Sequence, residues 1–165
     1  MPLRKYAPDE RLASIHEIDL ESLRFKGIEG LIFDLDNTIG TWGFRQIDEQ
    51  MLTHIQDLHN NGFKLAFLSN DHGKDREYVT ESLAQFPLIY AARKPELAGY
   101  RAILAQMNLP PSNVAMIGDQ LFTDVFGAKR MGMYAIMVKP VSPEVENWEV
   151  GIRRFFERVF FFFWS

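Results

Sequence analysis

The chain reads as an α/β protein: a five-stranded parallel sheet with helices on both faces. Three observations carry that expectation. Short apolar runs at Gly30–Phe33, Lys64–Ser69, Leu88–Tyr90, Val114–Ile117 and Tyr134–Val138 alternate with segments of helical spacing. Strands that alternate with helices form parallel sheets covered on both sides. Acid-rich or basic clusters follow four of the runs, at the end where open parallel sheets bind their ligands. The length of 165 residues, with 47% hydrophobic and 24% charged residues, suits one soluble domain with a real core.

The elements follow in order. Residues 1–27 read as an irregular arm ending in a short helix, "DLESLRFKG". Residues 28–140 form the expected core. "DEQMLTHIQDLHNNG" places Met51, Leu52, Ile55 and Leu58 at helical spacing and stops at Asn-Gly. "DREYVTESLAQF" and "PELAGYRAILAQMN" read as helices, with Pro95 suited to a first turn. "FTDVFGAKRMGM" offers Thr123 as an N-cap and Gly132 as a stop. Residues 141–165 end in an aromatic helix, "GIRRFFERVFFFFWS". Its stripe of Ile152, Phe155, Phe156, Val159, Phe160 and Phe163 suits packing on the core or on a second copy in a homo-oligomer. Arg153, Arg154 and Arg158 beside it equally suit peripheral contact with a membrane. No repeat, linker or second-domain signal interrupts the chain, so 1–165 reads as a single domain.

Composition removes several classes. A net charge of −4 argues against a general nucleic-acid binder. The chain has no cysteine, which excludes disulfides and thiol nucleophiles and suits a cytoplasmic home. No signal peptide and no run of 18 apolar residues is visible, so no transmembrane segment is expected. His16, His54, His59 and His72 show no metal-ligand spacing.

The polar clusters are Asp34-Leu35-Asp36-Asn37-Thr38, Ser69-Asn70-Asp71, Arg93-Lys94-Pro95, and Gly118-Asp119 followed by Thr123-Asp124. Asp34 and Asp36 stand two apart in an extended segment, so both face one side. Two unit charges ~4 Å apart repel by roughly 1 kcal/mol in water and several times more in a dry site. Such a pair calls for a positive partner. Clustered carboxylates favour a hard cation such as Mg²⁺. A lysine and a hydroxyl beside it suit a phosphate group.

The motifs "FDLDNT", "LSN", "KP" and "GDQLFTD", in that order from Phe33 to Asp124, resemble those of the haloacid dehalogenase (HAD) superfamily. "GDQLFTDVFGAKRMGM" and the motif spacing are similar to the YqeG-type subfamily IIIA phosphatases, a group similar to phosphatidylglycerophosphate phosphatases. The resemblance implies a HAD-like Rossmannoid sheet in the order 5-4-1-2-3. It also implies an Mg²⁺-dependent phosphatase working through an aspartyl-phosphate. Asp34 then resembles the nucleophile and Asp36 the general acid/base. Ser69, Asn70 and Lys94 resemble the phosphate-holding group. Asp34, Asp119 and the backbone carbonyl of Asp36 resemble the metal ligands, with Asp124 as a further ligand or support. A second carboxyl suits phosphate esters, whose leaving oxygen needs a proton.

Many relatives insert a cap domain between these motifs. Here the intervals from Asp34 to Ser69 and from Ser69 to Lys94 hold only a loop and a few short elements. An uncapped site admits a bulky substrate, so a lipid phosphate such as phosphatidylglycerophosphate leads the expectations. A soluble metabolite, a phosphoprotein, or a non-catalytic phosphate-binding scaffold is the alternative. The loop "IGTWGFR" supplies the nearest cover, with Trp42 and Phe44 either touching substrate or anchoring the loop.

Overall fold

Alternation along the central strands decides how they pack. Leu31 and Phe33 face one side of the sheet with Leu65, Phe67, Ala115 and Ile117. Ile32 faces the other with Ala66, Leu68, Val114 and Met116. Both faces are apolar, so both must be covered. Each large side chain buried this way contributes roughly 1.5–3 kcal/mol.

The computed structural model describes residues 4–142. In chain order it contains β1 Glu10–Leu12, α1 Leu20–Phe25, β2 Gly30–Phe33, α2 Glu49–Asn60, β3 Lys64–Leu68, α3 Glu77–Ser82 and β4 Leu88–Ile89. These are followed by α4 Leu97–Met107, β5 Val114–Gly118, α5 Phe126–Met131 and β6 Tyr134–Val138. One apolar layer joins α1, α2 and α3 to the sheet through Leu23, Ile55, Leu58, Val79 and Leu83. The opposite layer joins α4 and α5 through Tyr100, Ile103, Leu104, Met107 and Ala128. The expected aromatic helix within 141–165 lies outside the described residues, apart from Val141 and Ser142.

All strand pairs are parallel, in the order β1-β6-β5-β2-β3-β4. The five expected strands stand in the expected order, and the sheet has a sixth. It comes from the arm read as irregular: Glu10, Arg11 and Leu12 pair with Ile136, Met137 and Val138. Three residues with no fully buried side chain give no readable alternation. Polar contacts hold this edge instead. The Asp9 carboxylate accepts from the Ala135 N–H and the Lys129 ammonium, each at 2.8 Å. The arm therefore packs on its own sheet.

Two local expectations are corrected. Pro95 does not open α4, which starts at Leu97 after Glu96, and the Lys94–Pro95 peptide is cis. Thr123 does not cap a helix. It sits inside a π-helical turn, Leu121–Val125, that runs straight into α5. Gly132 does end α5, in the left-handed region at φ 79°.

Between Asp34 and Lys94 the chain holds only a loop, α2, β3, a second loop, α3 and β4, so no folded cap stands there. No helix among the described residues is long and apolar enough to cross a membrane.

Candidate active site

Strand register assembles the site. Phe33 on β2 is level with Phe67 on β3 and Ile117 on β5. The next residues up the three strands therefore rise together: Asp34, Leu68-Ser69 and Gly118-Asp119. The Asp34 N–H donates to the Ile117 carbonyl at 2.9 Å, carrying the ladder one residue past β2. The chain moves from β2 outward to β3 and β4, then returns to β5 and β6 on the other side. The switch in direction lies between β2 and β5, where such sheets bind ligands.

A cavity of about 350 Å³ opens over these carboxyl ends, lined by Asp34, Asp36, Ser69, Asn70, Lys94, Trp42 and Thr123, with Asp71, His72 and Gln120. Five of the seven residues selected from the sequence line it, and the other two, Asp119 and Asp124, are grouped with the lining residue Asp34 through their carboxylates. Asp34, Asp36, Ser69, Lys94, Asp119 and Asp124 are buried. Asn70 is exposed, and its amide is used on the backbone of Lys94: it accepts from the Lys94 N–H at 2.6 Å and donates to the Lys94 carbonyl at 3.0 Å. The Ser69 hydroxyl accepts from the Asp71 N–H at 3.1 Å.

Lys94 lies at the centre. Its ammonium donates to Asp34 Oδ1 at 2.5 Å and to Asp124 Oδ1 at 2.7 Å. Burial alone would push the lysine toward neutrality, but Asp124 and Asp34 overcome this and raise its pKa. For Asp34, burial is the largest influence. With Asp124 and Asp36 adding to it and Lys94 opposing, the carboxyl is pushed up to about 7. The Thr38 hydroxyl stands between Asp34 Oδ2 and Asp119 Oδ1, 3.4 Å from each.

One carboxylate oxygen each from Asp34, Asp119 and Asp124 lies within 4.8 Å of the others. Among the described residues the buried charged set is four acids, Asp34, Asp36, Asp119 and Asp124, against two cations, Lys94 and Arg76. With all six ionised the excess is two negative charges, which fits a divalent cation bound by oxygen ligands. The Asp36 side chain is not in the three-acid group. Its Oδ1 instead accepts from Arg76 Nη2 at 2.6 Å and from the Gly43 N–H at 2.7 Å.

Asp124 is placed by its surroundings. The Tyr100 hydroxyl donates to the Thr123 and Asp124 carbonyls at 2.8 and 3.1 Å, fixing the π-helical turn. The Asp124 Oδ2 accepts from the Gln120 N–H at 3.1 Å. A Cβ at Gly118 would collide with the Asp124 carboxylate, so glycine is required for this close approach.

Sequence reading missed Arg76. It is 3% exposed and donates to Asp36 Oδ1 at 2.6 Å, with Asp71 Oδ1 at 3.5 Å. Its guanidinium lies 4.8 Å from the centre of the Phe44 ring. In "HGKDREY" it stands among charged residues and reads as solvated; nothing in the sequence separates it from them. Trp42 and Phe44 take different parts. Phe44 is buried beneath Arg76, while half-buried Trp42 lines the cavity.

A family model described as "HAD-hyrolase-like" matches residues 91–140. The chain is 33% identical over 137 residues to "Probable phosphatase YqeG" of Bacillus subtilis, covering 83% of this chain and 79% of that protein. It is 26% identical over 168 residues to a chloroplastic phosphatidylglycerophosphate phosphatase 1 of Chlamydomonas reinhardtii, spanning 60% of that protein's length. In fold it is similar to an uncharacterized protein from Listeria monocytogenes, with a TM-score of 0.57 at 20% identity, covering 73% of this chain and 85% of that one. A D,D-heptose 1.7-bisphosphate phosphatase from B. bronchiseptica gives a TM-score of 0.54 at 19% identity, covering 67% and 80%. On the strength of the YqeG match, and in keeping with the sheet order and acidic site, the chain belongs to the YqeG-type phosphatases of the HAD superfamily and is a phosphoric monoester hydrolase.

Proposed function

We propose that this hydrolase is Mg²⁺-dependent, forms an aspartyl-phosphate on Asp34, and acts on a lipid phosphate such as phosphatidylglycerophosphate. The observation that carries the chemistry is the position of Lys94, held between Asp34 and Asp124 beside the three-acid group. A phosphoryl group entering beside Asp34 meets the lysine charge at once. Asp34 attacks phosphorus; the bond from phosphorus to the ester oxygen breaks, and Asp36 gives that oxygen a proton. Asp36 then takes a proton from the water that cleaves the acyl phosphate. Mg²⁺ held by Asp34, Asp119 and Asp124 would offset the repulsion between carboxylate and phosphate dianion. Ser69 holds a phosphoryl oxygen, and Asn70 serves by keeping Lys94 in place.

Support for the lipid substrate is of two kinds. Among the described residues no folded cap stands between Asp34 and Lys94, and an aromatic side chain, Trp42, lines the cavity. The Chlamydomonas relative is named for phosphatidylglycerophosphate. Turnover of an aryl phosphate with Mg²⁺, lost in Asp34→Asn, tests the chemistry. Rates on phosphatidylglycerophosphate beside a panel of sugar, nucleotide and peptide phosphates test the substrate. A soluble ester turned over at least tenfold faster than the lipid would replace that part of the reading.

A further inference from the structure

Arg76 is a buried cation that the reaction as described does not use. Residues 75 and 77 beside it are exposed, yet Arg76 points inward and is 3% exposed. Its Nη2 donates to Asp36 Oδ1, and the same oxygen accepts the Gly43 N–H at 2.7 Å. Its Nε faces Asp71 Oδ1, which in turn accepts the Gly73 N–H at 2.7 Å. Its plane lies against Phe44. Its Nη1 is buried with no hydrogen-bond partner. One side chain thus joins Asp36, the loop that carries Trp42 and the loop after β3. A buried ion pair with an orphaned donor is a poor source of stability, because desolvation offsets much of the attraction. A guanidinium does give direction, since its donors are fixed in a plane.

We propose that Arg76 is a positioning residue for leaving-group protonation. Together with the Gly43 N–H it occupies Asp36 Oδ1, and so directs the other carboxyl oxygen toward the ester oxygen that departs. The inference rests on the reading of Asp36 as the general acid. In that step the bond from phosphorus to the ester oxygen breaks, the bond from phosphorus to Asp34 forms, and the proton passes from Asp36 to the departing oxygen. An alkoxide needs that proton. A nitrophenolate leaves without it.

The test compares kcat/KM for glycerol 3-phosphate and 4-nitrophenyl phosphate, because kcat/KM covers the steps through loss of the leaving group. In Arg76→Met the alkyl ester is expected to lose ~10²-fold and the aryl ester less than about threefold. Arg76→Lys keeps the charge but not the planar fork. It is expected to recover part of the alkyl rate, and it decides the matter if Arg76→Met does not fold. In an Asp36→Asn background, replacing Arg76 should change neither rate further. Equal losses on both esters, or an undiminished loss in the Asp36→Asn background, overturn the inference while leaving the phosphatase reading intact. A wild-type chain that works as well as its Asp34→Asn variant brings down the phosphatase reading itself, and this inference with it.

Discussion

The ammonium of Lys94 and the carboxylate of Asp124 lie 2.7 Å apart, and both side chains are almost wholly buried. The lysine comes from the loop after β4 and the acid from the turn after β5, so the pair clamps two segments over the sheet. Removing one partner of a buried pair leaves the other charge uncompensated, at a cost of about 3–5 kcal/mol. Lys94→Met should lower stability by that order and reduce turnover by ~10²–10³-fold. Urea unfolding and aryl phosphate kinetics measure the two effects. A variant of unchanged stability would show that the clamp contributes nothing.

The pH dependence of the metal-free protein follows from Asp34. Its folded pKa, about 7, stands above the ordinary value of 3.8. The folded state therefore holds a proton that the unfolded state has already released between these values. That contribution is full below about pH 3.8 and is lost as pH rises toward 7. A cation competes with this proton, so the rise in melting temperature produced by Mg²⁺ should be larger at pH 7.5 than at pH 5. Calorimetry at the two pH values checks the direction; an equal or reversed shift contradicts it.

Gly118 makes room for Asp124. In Gly118→Ala the new methyl displaces the carboxylate that Lys94 holds, and overpacking of this kind costs about 1–3 kcal/mol. The variant should stay folded while binding Mg²⁺ at least tenfold more weakly, as read by isothermal titration.

Trp42 and Phe44 should respond differently to truncation. Phe44 is 8% exposed beneath Arg76, so Phe44→Ala should lower the melting temperature, with a loss of up to about 3–5 kcal/mol. Trp42→Ala should leave the melting temperature within a degree or two. It should raise KM for a lipid phosphate more than for a small ester, which steady-state kinetics on both substrates resolves.

Much of this site was legible because its residues sit where strands end. Alternation of apolar runs locates Gly30–Phe33 and Tyr134–Val138 to the residue, and parallel register then sets Asp34 one residue below Ser69 and Asp119 on the neighbouring strands. β1 was not legible, since pairing at an edge needs backbone partners rather than an apolar pattern. Thr123 is a good N-cap type and so points to a capped helix where a π-helical turn carries Asp124; the Tyr100 hydroxyl, brought from α4, holds the turn's carbonyls instead. Arg76 was invisible for the same reason. Its partners Asp36 and Phe44 are distant in sequence, and only the folded loops bring them together.

The central claim is that Asp34 carries the phosphoryl group. Acid quench of the wild-type protein during steady turnover with Mg²⁺, then borohydride reduction and peptide mass spectrometry, tests it directly. The account predicts reduction of residue 34 to homoserine, present only when substrate was supplied. Full turnover with Asp34 recovered unmodified, or a trapped phosphoryl group on another residue, would contradict it.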